Sequence, residues 1–184
     1  METTVETTTR TKWTLDASHS ELLFKVKHMM IANLKGDFRK FNTEVTSIGN
    51  DFSNAKIKVT IDPSSIFTND DQRDGHLKAP DFFDVENHKE ITFEGTSFTK
   101  VSDDNFKLTG NLTIKGISKE VTLDVEFGGI NKDPYGRVKA GFTINGKINR
   151  KDWGLVWNAA LETGGVLVSD EVRIAAEVQL VREA

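Results

Sequence analysis

Between Asn105 and Gly128 the chain alternates apolar and polar residues with a period of two. Phe106, Leu108, Gly110, Leu112 and Ile114 are interleaved with Lys107, Thr109, Asn111, Thr113 and Lys115. An extended backbone sends these two sets to opposite faces, so the pattern predicts a half-buried strand. After Gly116-Ile117-Ser118-Lys119 it resumes with Val121, Leu123, Val125 and Phe127 against Thr122, Asp124 and Glu126. That is the returning arm of an antiparallel hairpin.

The same period recurs along most of the chain. Trp13 to Asp16 and Leu22-Phe24-Val26-His28 predict two short strands joined by a turn at Ala17-Ser18-His19. Phe38 and Phe41 have opposite parity, so burying both requires a bulge or a two-sided strand. Ile57, Val59 and Ile61 form the next apolar row, and Pro63, which has no amide to donate, ends or bends it. Ile91-Phe93-Gly95, then Val138 to Ile148, then Val172 to Leu180 complete the set, with turns expected at Asp133-Pro134-Tyr135-Gly136 and Thr163-Gly164-Gly165. The glycines at 95, 110, 141 and 146 fall inside strand patterns and permit bends.

One segment breaks the alternation. From Asp70 to Val85, Leu77, Phe82 and Phe83 sit among charged residues, and Pro80 interrupts any helix. A short helical turn is expected on each side of Pro80, acting as a lid or plug over one end of the sheet or as a packed connection. Eight or nine strands with one apolar face must bury it against a second sheet or by closing into a barrel. Periodicity alone leaves both open.

Composition narrows the class. With 184 residues and 37% hydrophobic content, the chain suits one all-β domain over 13–184. Residues 1–12 carry six Thr and two Glu and are expected to be a flexible polar tail or a Thr-rich edge extension. The net charge of −4 and scattered cations argue against nucleic acid as a partner. There are no cysteines, which excludes disulfides and thiolate chemistry. No apolar run is long enough for a transmembrane segment or the core of a signal peptide. A cytoplasmic location is the expectation on that basis.

Asp16, His19 and Ser20 superficially resemble parts of a catalytic triad, but no nucleophile-elbow glycines surround Ser20. His76 and His88 lack the spacing of a metal motif. No catalytic residue, metal or cofactor is assigned.

Several blocks occur together and in order: Trp13-x-x-Asp16-x-x-His19-Ser20, Phe24-x-Val26-x-His28, Gly36-x-Phe38, Arg73-Asp74-x-His76-Leu77, Asp81-Phe82-Phe83-Asp84-Val85, Gly110 to Gly116, and Asn149-Arg150-x-Asp152-Trp153-Gly154. They resemble the YceI-like polyisoprenoid-binding family from about Trp13 to Leu180. The resemblance implies an extended, lipocalin-like, eight-stranded antiparallel β-barrel whose pore holds a long isoprenoid or similar amphiphile, commonly in an exported bacterial protein. Its ligand class includes isoprenoid quinones, and its role would be sequestration or transport.

By alternation, Leu22, Phe24, Val26, Ile57, Val59, Phe93, Leu108, Leu112, Ile114, Phe142 and Ile144 are expected to face the pore. Leu77, Phe82 and Phe83 would close one end. His28 shares their parity and would either meet the polar end of a ligand or be a core histidine with a satisfied ring. Arg150 would either pair with Asp152 and hold a loop, with Trp153 and Trp157 as cover, or bind an anionic head group such as a phosphate. The alternatives are a lipid-modifying hydrolase or isomerase and a filled-core, stress-related interaction protein. Whether two barrels associate as a homodimer is left open by the sequence.

Overall fold

Alternating apolar rows of this length leave little choice but strands, and the computed structural model, which describes residues 10–162 and 164–183, consists almost entirely of them. They are β1 (Arg10–Leu15), β2 (Glu21–His28), β3 (Ala32–Phe38), β4 (Phe41–Ile48), β5 (Asp51–Ile61), β6 (Ile66–Phe67), β7 (Ile91–Ser102), β8 (Asn105–Ile114), β9 (Ile117–Lys132), β10 (Val138–Asn149) and β11 (Glu171–Arg182). Every pairing is antiparallel, and β11 pairs with β10 on one side and with both β1 and β2 on the other. The sheet therefore closes on itself.

The eleven strands make eight staves. β1 and β2 form one stave interrupted by a short 3-10 turn at Ala17–His19. β3 and β4 form the second, and β5 and β6 the third, because β4 pairs with β1 and β5 while β3 pairs with β2 and β6. β7 to β11 are continuous staves. The three breaks lie side by side: Asp62 donates its amide to Lys40 O at 3.0 Å, and Arg39 donates to Ser65 O at 3.2 Å. The parity conflict between Phe38 and Phe41 is resolved here. The strand stops for Arg39 and Lys40 rather than bulging, so both rings turn inward.

Close approach of backbones requires glycine at one crossing. Gly95 and Gly110 are directly paired, and a Cβ on Gly110 would meet the Glu94 carbonyl oxygen at 2.5 Å. The wall bends there, with the register shifting between Gly95 and Ser97.

Two expectations are corrected. Residues 10–12 are not part of a tail: they belong to β1 and pair with Thr46 to Ile48, while residues 1–9 lie outside the described residues. The segment around Pro80 has one helix instead of two. Helix α1 (Asp71–Lys78) starts at Asp70, whose carboxylate accepts the Arg73 amide at 3.0 Å, and ends at Ala79 before Pro80. Beyond Pro80 the chain makes hydrogen-bonded turns, with the Phe82 amide on Ala79 O at 2.9 Å and that of Phe83 on Leu77 O at 3.0 Å. Of the expected turn at 163–165, Thr163 lies outside the described residues. Gly164 and Gly165 do take the left-handed conformation (φ +89° and +88°) that favours glycine.

The two ends of the barrel differ. The lower end is sealed by Trp13, Phe52, Phe127 and Phe142, whose ring centroids lie 5.0–5.5 Å apart. The Trp13 indole N–H donates to Ser47 Oγ at 2.8 Å, which satisfies its one polar atom. The upper end carries α1, the β2–β3 turn and residues 155–162 and 164–168.

Candidate functional site

The inward rows do not fill the barrel. An upper chamber of about 510 Å³ lies beneath α1, and a lower one of about 140 Å³ lies above the aromatic seal. Leu22, Ile61, Leu112 and Ile174 line both, so the two chambers meet at a waist of four aliphatic side chains. The upper volume falls within the range of about 300–1,000 Å³ usual for small-molecule sites.

Each chamber is built from alternate residues of its staves. Phe24, Val26 and His28 of β2 and Ile114 of β8 line the upper one, together with Leu77, Phe82, Phe83 and Arg150. Ile57, Val59, Phe93, Leu108, Phe142 and Ile144 line the lower one. The sequence-derived pore set thus lines the two chambers of the barrel interior, with one exception. Trp153 lines neither chamber: it is 1% exposed within the hydrophobic core, and its indole N–H donates to Leu112 O at 2.8 Å, tying the Arg150–Trp153 turn to the β8 backbone.

Sequence reading missed part of the upper wall. Gln72, Arg73 and His76 on α1, and Leu155, Trp157, Leu167 and Val168 on the irregular segment before β11, also face the upper chamber. His76, Phe82 and Trp157 form an aromatic trio with centroids 4.8–5.6 Å apart across the upper end. The His76-Leu77 and Trp157-Asn158 motifs were the available signal, but no periodicity linked them.

The arginines and Asp74 around the upper chamber are already engaged. Arg150 is 3% exposed and donates from Nε to Ser169 O at 2.9 Å and from its Nη atoms to Leu155 O and Val168 O. Its carboxylate neighbour is Asp170 at 4.0 Å, not Asp152 as the sequence suggested. Burial pushes its pKa below the ordinary value, opposed by Asp170. Arg73 donates from Nε to Thr68 Oγ1 at 2.8 Å and from Nη2 to Thr68 O at 2.6 Å. The buried Asp74 carboxylate accepts both the amide and the hydroxyl of Thr68, locking α1 to β6. Among the described residues, no buried side-chain nitrogen or oxygen lacks a partner.

The Asp16-His19-Ser20 group does not assemble a triad. Ser20 Oγ donates to Asp16 O at 2.7 Å and accepts the Gln179 amide at 3.0 Å, so it turns away from His19. Asp16 instead contacts Lys139 Nζ at 2.5 Å, His19 Nδ1 at 2.8 Å and Ser18 Oγ at 2.9 Å. Those hydrogen bonds, the one from Lys139 foremost, hold its carboxyl well below the usual carboxylate range. This cluster staples the lower end and is remote from the upper chamber.

Comparison with known proteins agrees with this architecture. The YceI-like domain model matches residues 13–180. A UPF0312 protein of Staphylococcus aureus (strain bovine RF122 / ET3-1) is 45% identical over 170 residues, covering 92% of this chain and 96% of that protein. The crystal structure of a Campylobacter jejuni YceI protein superposes with a TM-score of 0.73 at 33% identity, over 87% of this chain and 91% of that one. A polyisoprenoid binding domain from Saccharophagus degradans shares the fold, with a TM-score of 0.71 at 14% identity over 93% and 98% of the two chains. A closed barrel of eight staves, matched along nearly its whole length by the domain model, makes this chain a member of the YceI-like family.

Proposed function

We propose that the protein binds a long-chain isoprenoid or similar amphiphilic lipid in the two chambers and holds it without chemical change. The observation that carries this reading is the pair of apolar chambers stacked between α1 and the aromatic seal, which share a wall of Leu22, Ile61, Leu112 and Ile174. Each methylene buried there contributes about 0.8 kcal/mol, so affinity arises mainly from the tail. The polyisoprenoid-binding description of the Saccharophagus domain points the same way.

The head group of the ligand is uncharged on this reading. Arg150 and Arg73 are committed to carbonyl and hydroxyl oxygens, and Asp70 and Asp81 stand near Arg73 and His76. A phosphate would meet these carboxylates and would have to displace existing partners. His28 and Gln72 suit a carbonyl, amide or alcohol better.

Native mass spectrometry of the purified protein, followed by organic extraction, tests the proposal. A stoichiometric isoprenoid, quinone or fatty-amide-like species is the expected result. A bare mass, together with failure to bind added polyprenols and isoprenoid quinones, would overturn it. Leu112→Arg, which places a charge at the waist, should abolish retention in protein that still shows the circular dichroism of the folded barrel. Ile114→Arg makes the same test one turn of the pleat higher. Folded variants that keep their lipid would show that the inward assignment is wrong.

A further inference from the structure

On the side of the β2–β3 turn the rim of the upper chamber is apolar and projects outward, whereas on the other side α1 and its flanks carry the exposed Asp70, Asp71 and Asp81. In the β2–β3 turn Met29, Met30 and Ile31 are 43%, 58% and 82% exposed, and Val156 and Val166 on the neighbouring segment are 59% and 40% exposed. The two segments are joined, because the Met29 amide donates to Leu167 O at 2.8 Å and His28 bridges Val168. Met29 and Met30 both have positive φ (52° and 61°). A turn with two such residues is ordinarily built from Asn and Gly, and bulky side chains there are strained. The chain thus holds apolar side chains in water at a position where neither local conformation nor packing favours them.

A second feature lies just below. Lys35, Lys25, Arg173 and Lys147 are directly paired across β3, β2, β11 and β10, and all four point outward. Like charges placed opposite one another destabilise a sheet. On the far side of the wall opposite charges face each other, with Lys58 between Glu44 and Glu94 and Lys107 opposite Asp124, while Glu21 and Glu177 form a like-charged pair further down β2 and β11. The carboxylates facing this belt are few: Glu171 lies 3.3 Å from Arg173, and Asp170 is 3.3 Å from Lys151. Lys25 is three residues from His28, so the belt runs roughly 10 Å beneath the rim.

We infer that the upper end docks on an anionic phospholipid bilayer, with Met29, Met30 and Ile31 entering the headgroup layer and the Lys25–Arg173 belt facing the phosphates. An apolar tip backed by cations at this depth is the arrangement that interfacial binding requires. The outward faces of β7 to β9 carry Glu94, Glu120, Asp124 and Glu126, so the barrel meets the surface by one end and does not span it. Docking sets the chamber opening against the membrane, where a lipid can pass without crossing water. That exchange rests on the lipid-binding reading; the docking does not.

The experiment is vesicle flotation of the whole chain with phosphatidylcholine vesicles and with vesicles containing about 30% phosphatidylglycerol. Binding to the anionic vesicles only, reversed by about 0.5 M salt, is expected. Lys25→Gln combined with Arg173→Gln should lower partitioning roughly thirtyfold, and Ile31→Asp should also lower it. Lys100→Glu, on the opposite wall, should leave it unchanged. Wild-type protein that binds neither vesicle, or both equally, overturns the inference and makes the rim a protein contact instead. Lipid found in the purified protein would stand in either case, so the two readings fail separately.

Discussion

Arg150 shows how a charged residue inside an apolar barrel can be structural. Its guanidinium gathers carbonyls from residues 155, 168 and 169, which belong to a segment with no regular ladder of its own. Without the arginine those carbonyls lose charge-assisted donors in a buried site, at a cost of about 3 kcal/mol. Arg150→Met should therefore lower the melting temperature by roughly 5–10 °C. It should not change the preference between charged and uncharged lipid heads. A calorimetric scan and a competition between a polyprenol and its diphosphate check the two parts. Loss of diphosphate binding with an unchanged melting temperature would restore Arg150 as a head-group ligand.

At the scale of elements, α1 and β6 act as one cap because Asp74 and Arg73 both close on Thr68. Asp74→Ala would leave the buried Thr68 amide and hydroxyl without their acceptor, and it should loosen the cap against the wall. Faster amide hydrogen exchange across 66–83, with β7 to β10 unchanged, is the expected outcome. Uniformly faster exchange would mean that the cap is not a separate unit. This element also marks where sequence reasoning weakened. The hairpin of β8 and β9 was legible because each side chain's face follows from a strict period of two. The upper wall was not, since Trp157, Leu167 and His76 reach the chamber from turns and a helix whose directions are set by tertiary hydrogen bonds. The inward turn of both Phe38 and Phe41 was signalled only as a conflict of parity. Its resolution by a break needed the neighbouring breaks at Ala17–His19 and Pro63–Ser65. Trp153 was singled out as unusual, but composition could not distinguish a cavity-lining residue from one packed in the core and bonded to the β8 backbone.

For the whole molecule, the lower end depends on ionised carboxylates. Asp16 is held down chiefly by the Lys139 hydrogen bond. Burial would raise Asp133, but the amides of Arg137 and Tyr135 and the Arg137 side chain outweigh it. Both folded-state values lie below the unfolded ones. The linked stability is complete above the ordinary carboxylate range near about 4 and is lost as pH falls below it. Melting temperatures should drop on acidification below that point, and Asp16→Asn should flatten the decline while lowering the plateau near neutrality. An equally steep decline in the variant would place the acid sensitivity elsewhere. The aligned interruptions of the first three staves carry a different consequence. Five unbroken staves run down one side, while β2, β3 and β6 make an upper collar tied to β11 through β2 and to the strands below by the Asp62–Lys40 and Arg39–Ser65 hydrogen bonds. On the proposed lipid-binding function, the narrow chamber sets how far a ligand's tip can reach, whereas the wide one leaves room for bulkier groups above it.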